Sequence, residues 1–306
     1  MKRILSLVLL FVVVYSTLNA QVSGLNELNK YIAGDRLSDA EQWVQVIKGD
    51  IPLVISVPHG GRFHDSAIPD RACSDEGRVI KGMDLNTKEI VLSIEEIFVQ
   101  KYNKRPYIVI SNISRRKVDQ NREIELATCG HPQAIKAWNS YHDAIDAVLK
   151  YANKEHGDLF FVDVHGHGHE VKRGELGYNI NASYLRKIYF DGTNDSIAQH
   201  SSLGNYLHKE GKEKLFSLLY GEKAFGTILT KNGYPSTPSL QDPHPKEGEP
   251  FFSGGYITRK YTSTAYPYVI GVQIELPLIH VRDTDANLKQ YADSFARSYF
   301  DYVENL

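Results

Sequence analysis

The chain alternates between uninterrupted apolar runs and segments in which apolar residues recur every three or four positions. An uninterrupted run rich in β-branched residues is typical of a buried strand, whereas the wider spacing predicts a helix with one apolar face. This alternation predicts a layered α/β domain. The predicted strands are 43–47, 51–57, 106–110, 159–164, 178–180 and 268–275, and the predicted helices are 88–100, 132–153, 203–220 and 285–304.

Polar segments separate these elements. The tripeptide Lys48-Gly49-Asp50 lies between the first two predicted strands and predicts a β-hairpin turn. Two longer polar segments, 60–81 and 231–255, predict extended loops. Since long ordered loops in compact enzymes often cover active sites, we expect a site near the second loop.

The first twenty residues have the pattern of a signal peptide. Lys2 and Arg3 precede the apolar run 4–15, and small residues follow up to Ala20. The alternative is a retained membrane anchor. We therefore predict a signal peptide over 1–20 and a single domain over 21–306 that is exported to the periplasm or the extracellular space. No later segment is long and apolar enough to span a bilayer, so we expect no stable membrane insertion after cleavage.

Composition narrows the range of partners. The formal net charge is −2 and no run of basic residues stands out, which makes nucleic acid an unsuitable partner. The two cysteines, Cys73 and Cys129, are not in a CxxC arrangement, which argues against a structural thiolate zinc site. In an oxidising compartment they are able to form a disulfide, and the sequence leaves their pairing open.

Four potential metal-site residues occur at strand ends or a helix start. His59 and His165 each end an apolar run, Asp84 precedes a predicted helix, and Glu275 ends the last predicted strand. Catalytic zinc takes three nitrogen or oxygen ligands and leaves a position for water, so the first three residues suffice and Glu275 is left as a base. The simpler alternatives are a histidine cluster in a loop, a helix N-cap for Asp84 and a salt-bridged strand end for Glu275.

Positive charge is concentrated in the segment 114–122, which follows the strand 106–110. Such segments are usually solvated surface, but guanidinium groups placed after a strand also bind carboxylates or stabilise an oxyanion. A second arginine, Arg259, follows Gly254 and Gly255, whose missing side chains would allow a ligand to approach the backbone.

Taken in order, these motifs resemble the N-formylglutamate amidohydrolase family. The resemblance spans nearly all of the mature chain and implies a three-layer αβα fold with a central mixed sheet, similar to the zinc carboxypeptidases. It also implies hydrolysis of an amide bond near a carboxylate. The motifs are Pro58-His59-Gly60-Gly61, Asp84, Ser114-Arg115, Asn121-Arg122, Asp163-Val164-His165, Gly254-Gly255-Tyr256-Ile257-Thr258-Arg259 and Gln273-Ile274-Glu275.

The resemblance also implies roles for individual residues. His59, Asp84 and His165 would bind zinc, Glu275 would act as general base and later as proton donor, and Arg115 would polarise the carbonyl group. The residues expected to bind the substrate are Asn121, Arg122, Gly254, Gly255 and Arg259, and Asp163 is expected to support a metal ligand.

One departure from the pattern leaves the second metal ligand open. The His-x-x-Glu spacing of carboxypeptidases is absent because Arg62 stands where the glutamate would be. Asp84 is the preferred second ligand, and Asp70 and Glu76 are the alternatives.

The predicted function is therefore an exported zinc amidohydrolase for a carboxylated N-acyl amino acid or a peptide-like substrate. The alternatives are a zinc carboxypeptidase or poly-γ-glutamate hydrolase, and a carboxylate-binding protein without catalysis.

Overall fold

An eight-stranded mixed sheet forms the centre of the protein in the computed structural model, which describes Val22 and residues 24–74, 77–192 and 195–306. The strands are β1 (Arg36–Ser38), β2 (Val44–Ile47), β3 (Leu53–Val57), β4 (Tyr107–Ser111), β5 (Leu159–His167), β6 (Gly174–Gly177), β7 (Ser236–Thr237) and β8 (Val269–Pro277). They lie in the order β1-β2-β4-β3-β5-β8-β6-β7. The central strands β4, β3, β5 and β8 are mutually parallel, whereas β2 and β6 run antiparallel to them.

Helices cover both faces of this sheet. One layer includes the first and last long helices, which pack on each other, and the other contains the longest helix. The helices are α1 (Thr87–Tyr102), α2 (Ile124–Thr128), α3 (Pro132–His156), α4 (Ala182–Asp191), α5 (Asp195–His200), α6 (Gly204–Glu210), α7 (Leu215–Tyr220), α8 (Phe225–Lys231), α9 (Tyr256–Tyr261) and α10 (Asp285–Val303), with shorter helical turns at Leu25–Lys30, Lys212–Lys214 and Leu278–Arg282.

The side chains of each central strand alternate between two hydrophobic cores, one on each face of the sheet. In β4, Ile108 and Ile110 belong to the core beneath α1 and α10, whereas Tyr107 and Val109 belong to the core beneath α3. Since successive side chains of a strand point to opposite faces, the continuous apolar runs fill both cores at once. The expected three-layer αβα fold with a mixed sheet is confirmed.

Three local expectations are wrong. The strands β2 and β3 do not form a hairpin, because β4 lies between them and pairs with both. The strand expected at 178–180 is instead β6, which ends at Gly177. The helix expected over 203–220 is broken at Gly211, whose φ of 111° is incompatible with a helix.

The cysteines are joined by a Cys73–Cys129 disulfide, which ties the long connection before α1 to the end of α2. Within the described ranges, no helix combines the length and apolarity needed to cross a bilayer. The expected signal peptide over 1–20 lies outside the described residues.

Candidate metal centre and active site

One cavity of about 520 Å³ lies at the carboxyl edge of the central strands and gathers the residues expected from the sequence. Residues from four separate parts of the chain meet here because parallel strands end at the same edge of a sheet. Of the expected site residues, those that line this cavity are His59, Asp84, Arg115, Asn121, Arg122, His165, Gly254, Gly255, Arg259 and Glu275.

The three expected metal ligands form a buried cluster. Asp84 Oδ2 lies 3.3 Å from His59 Nδ1 and 3.3 Å from His165 Nδ1. Ligand atoms bound tetrahedrally at about 2.0–2.1 Å from a zinc ion are themselves about 3.3–3.4 Å apart. The two histidine–aspartate separations therefore match two edges of a zinc coordination tetrahedron.

Two further carboxylates fix the orientation of the imidazoles. His59 Nε2 lies 2.7 Å from Asp119 Oδ1, and His165 Nε2 lies 2.9 Å from Asp163 Oδ2. Each neutral imidazole would donate its Nε2–H to the outer carboxylate, which directs the Nδ1 lone pair at Asp84. A lone pair facing a carboxylate oxygen is repulsive unless a cation lies between them. The donor set therefore fits a metal ion.

The protonation equilibria agree with this requirement. Burial lowers the pKa of His165, but the Asp163 and Asp84 carboxylates outweigh burial and raise that pKa well above the usual range. Burial raises the pKa of Asp84, but the His59 and His165 imidazoles outweigh it and hold that pKa well below the usual range. The cluster thus favours one added positive charge, which either a proton or a metal ion supplies.

Glu275 lies directly beside this cluster. The parallel register pairs it with His165, and Gln273 Nε2 donates to Glu275 Oε1 at 3.0 Å. Burial, aided by the charges of Asp84 and Glu175, raises the pKa of Glu275 to about 8 against the lowering effect of His165 and Arg115. A divalent cation in the cluster would favour the ionised carboxylate, the form that accepts a proton.

Arg115 is held by a carboxylate that the sequence analysis did not assign. Its Nε donates to Asp119 Oδ2 at 3.0 Å, and its Nη1 lies 3.6 Å from Asp84 Oδ1. Burial raises the pKa of Asp119, but His59, Arg115 and Arg71 together lower it. Asp119 thus connects the arginine to the metal ligand His59. The four-residue spacing between Arg115 and Asp119 was the only sequence signal for this pair.

The substrate-binding candidates surround the start of α9. Asn121 Oδ1 accepts from the backbone N–H of Ile257 at 2.9 Å. A Cβ atom at Gly255 would collide with the Asn121 side chain, and one at Gly254 would collide with Asn179. These glycines therefore make room for neighbouring side chains while they line the cavity. Arg259 is exposed, and its side chain has no ion pair or hydrogen bond within the described part of the chain.

Of the two alternative second ligands, Asp70 is not part of the cluster. Asp70 pairs at the surface with Arg116 at 3.1 Å and with Lys117 at 3.2 Å. Glu76 lies outside the described residues. Among described residues, Asp84 is the carboxylate that lies between the two histidines.

A second group of potential ligands, His167, His169 and Glu175, lies nearby, but most of its donor atoms are already engaged. His167 Nδ1 accepts from the backbone N–H of His169 at 3.1 Å, and its Nε2 lies 2.9 Å from the carbonyl oxygen of Arg173. His169 Nδ1 lies 2.7 Å from Glu175 Oε1. A metal ion here would displace a hydrogen bond of His167 and compete with those of Glu175, so we assign this group no metal.

Comparisons with known proteins support the fold. No protein-family model matches the chain, and a search of curated proteins also finds no match. The chain is similar to the crystal structure of N-formylglutamate amidohydrolase from Ralstonia eutropha JMP134, with a TM-score of 0.51, 12% identity and coverage of 86% of this chain and 97% of that chain. It is also similar to a gene product of Agrobacterium tumefaciens, with a TM-score of 0.50, 11% identity and coverage of 86% and 95%. The resemblance expected from the motifs is confirmed at the level of the fold.

Proposed function

We propose that the protein is an exported zinc-dependent hydrolase that cleaves the amide bond of a carboxylated N-acyl amino acid or peptide-like substrate. The observation that carries this proposal is the buried His59–Asp84–His165 cluster with Glu275 beside it. The fold shared with N-formylglutamate amidohydrolase supports amide hydrolysis as the reaction class. A binding protein would have no use for a buried carboxylate next to a metal centre.

The proposed chemistry follows from charge placement. Zinc held by His59, Asp84 and His165 would supply an electrophile that polarises the substrate carbonyl and acidifies a water molecule. Glu275 would accept the proton of the attacking water and then deliver it to the departing amine. Arg115 would stabilise the negative charge that develops on the carbonyl oxygen, since its guanidinium group lines the same cavity.

The carboxylate of the substrate would be held by Arg259 and Arg122. Both line the cavity, and the exposed Arg259 has no carboxylate partner among the described residues. A guanidinium group binds a carboxylate through two parallel hydrogen bonds, which fixes the direction of the substrate relative to the metal. This arrangement favours carboxylated amides over neutral ones.

Two features support export. The N-terminal charge and apolar pattern is that of a signal peptide, and the Cys73–Cys129 disulfide is typical of proteins that fold in an oxidising compartment.

The test combines metal analysis with a substrate panel. Mature protein is prepared under oxidising conditions, its zinc is measured by elemental mass spectrometry, and N-acyl glutamates and γ-glutamyl peptides are assayed by product mass spectrometry. We expect about one zinc per chain, which Asp84→Ala removes. Glu275→Gln should keep zinc and lose about 10²–10⁴-fold in turnover.

The matched control is Asp70→Ala, which removes a surface carboxylate and should leave zinc and turnover at parental values. Parental turnover in zinc-loaded Glu275→Gln would refute the assignment of the base. Tight binding of panel compounds without any product would instead favour the carboxylate-binding protein.

A further inference from the structure

The cavity has an aromatic wall that the proposed chemistry does not use. The rings of Phe252 and His169 stack with a centroid separation of 4.8 Å and an interplanar angle of 12°. Both residues line the cavity, and Phe252 is 42% exposed. A large apolar ring that lines a cavity while exposed offers a flat surface on which a ligand is able to stack.

A single buried carboxylate binds the ring of His169 and the main chain of Phe252. Glu175 Oε1 lies 2.7 Å from His169 Nδ1, and Glu175 Oε2 accepts from the backbone N–H of Phe252 at 2.8 Å. The antiparallel register pairs Glu175 with Glu275, so the wall is attached beside the proposed base. The other ring nitrogen of His169, Nε2, has no hydrogen-bond partner among the residues described.

The wall and one proposed carboxylate anchor come from opposite flanks of the sheet. Arg122 follows β4, whereas Glu175 belongs to β6, and the three strands β3, β5 and β8 separate them. With the substrate carboxylate held near Arg122 and its amide at the metal, the remaining acyl group would extend toward β6. A cavity of about 520 Å³ also falls in the range of sites for ligands much larger than a formylated amino acid.

We propose that Phe252 and His169 form the acyl-group subsite, and that this subsite takes a flat acyl group larger than formyl. An aromatic acyl group and a further peptide unit both present such a flat face. The inference rests on the proposed function, which places the amide of the substrate at the metal. It identifies the acyl group as the part of the substrate by which the protein would discriminate among amides.

The test compares three carboxylated amides that differ only in the acyl group: N-formyl-, N-benzoyl- and N-acetylglycyl-L-glutamate. kcat/KM is measured for each with zinc-loaded protein, and Kd is measured by calorimetry in the Glu275→Gln background. We expect at least one of the two larger acyl groups to be preferred over formyl by about tenfold in both measurements. Comparison of the N-benzoyl and N-acetylglycyl substrates shows whether the subsite prefers an aromatic acyl group or a further peptide unit.

Phe252→Ala should reduce the preference for the larger acyl group over formyl about tenfold, and His169→Ala should also reduce this preference. Because the two rings stack, the double variant should lose less than the product of the single losses. Phe216→Ala is the matched control, since Phe216 is 40% exposed and does not line the cavity; it should keep the parental preference. Phe252→Leu keeps an apolar side chain without a flat face, so it separates stacking from folding defects.

The two proposals fail in different ways. Hydrolysis with no preference for larger acyl groups, or an equal loss for all substrates in Phe252→Ala, would overturn the subsite. Absence of hydrolysis together with the expected Kd preference would overturn the proposed reaction and leave the subsite in place.

Discussion

Substitution of Asp163 by asparagine separates the charge behind a metal ligand from the shape of the site. Asp163 accepts from Ser56 Oγ at 2.5 Å through one oxygen, and its other oxygen lies 2.9 Å from His165 Nε2. Asparagine has nearly the same shape, accepts from His165 through its oxygen and donates to Ser56 through its amide. The substitution therefore removes the negative charge and preserves the orientation of His165.

Loss of this charge lowers the basicity of the imidazole that would bind zinc. Replacement of such carboxylates typically costs 10–100-fold in metal affinity, which corresponds to about 1.4–2.7 kcal/mol. We expect Asp163→Asn to weaken zinc binding by this amount while the metal-free protein remains folded.

Zinc Kd is measured by competition with a chromogenic chelator, and folding is followed by circular dichroism. Asp39→Asn is the matched control, because Asp39 is also buried and also accepts from a serine hydroxyl, that of Ser140 at 2.8 Å, but its side-chain hydrogen bonds are to Val44 and Ser140 and not to a proposed metal ligand. Asp39→Asn should keep the parental zinc Kd. A zinc Kd for folded Asp163→Asn within about twofold of the parent would refute the reasoning.

Three further predictions concern protons, packing and the disulfide. Since Asp163 and Asp84 raise the pKa of metal-free His165, zinc must displace a proton from this imidazole. The zinc affinity, measured by chelator competition, should therefore fall about tenfold per pH unit as the pH drops below that pKa. A zinc affinity that does not change with pH would contradict this prediction. Gly255→Ala should lower the free energy of unfolding in urea by about 1–3 kcal/mol, because the added Cβ collides with Asn121. Gly168→Ala, where a Cβ meets nothing within 4 Å, should lower it by about 0.5 kcal/mol or less. Equal losses in the two variants would contradict the packing argument. Replacing Cys73 and Cys129 by serine should lower the free energy of unfolding by about 4 kcal/mol, because their sequence separation of 56 closes a long loop; an unchanged urea midpoint would count against it.

The sequence predicted the central layers well because burial on both faces leaves a strong pattern. The long runs ending at His165 and Glu275 became β5 and β8, which pair over nine residues of each strand. The hairpin expected at Lys48-Gly49-Asp50 failed for a topological reason. Turn chemistry describes only local chain reversal, and nothing local to this turn indicates that β4, which begins at Tyr107, inserts between the two strands.

The residues of the candidate site also differ in whether they could be predicted from the sequence. Residues at strand ends could be predicted, since the carboxyl edge of parallel strands brings them together whatever the loops do. Asp119 could not, because an acid among arginines has the same local pattern on a solvated surface as in a buried cluster. Its burial depends on His59 and Arg71, which are 60 and 48 residues away along the chain.

The buried charges of the site constrain one another. Asp84, Asp119 and Asp163 surround two imidazoles, and Arg115 pairs with two of these three carboxylates. Removing any one partner would leave a buried charge uncompensated, which is costly in a low-dielectric interior. Asp84 differs from the other two carboxylates because each imidazole turns its Nδ1 toward it. An added cation is therefore best accommodated between Asp84 and the imidazoles, next to Glu275 and within the cavity where an amide would bind.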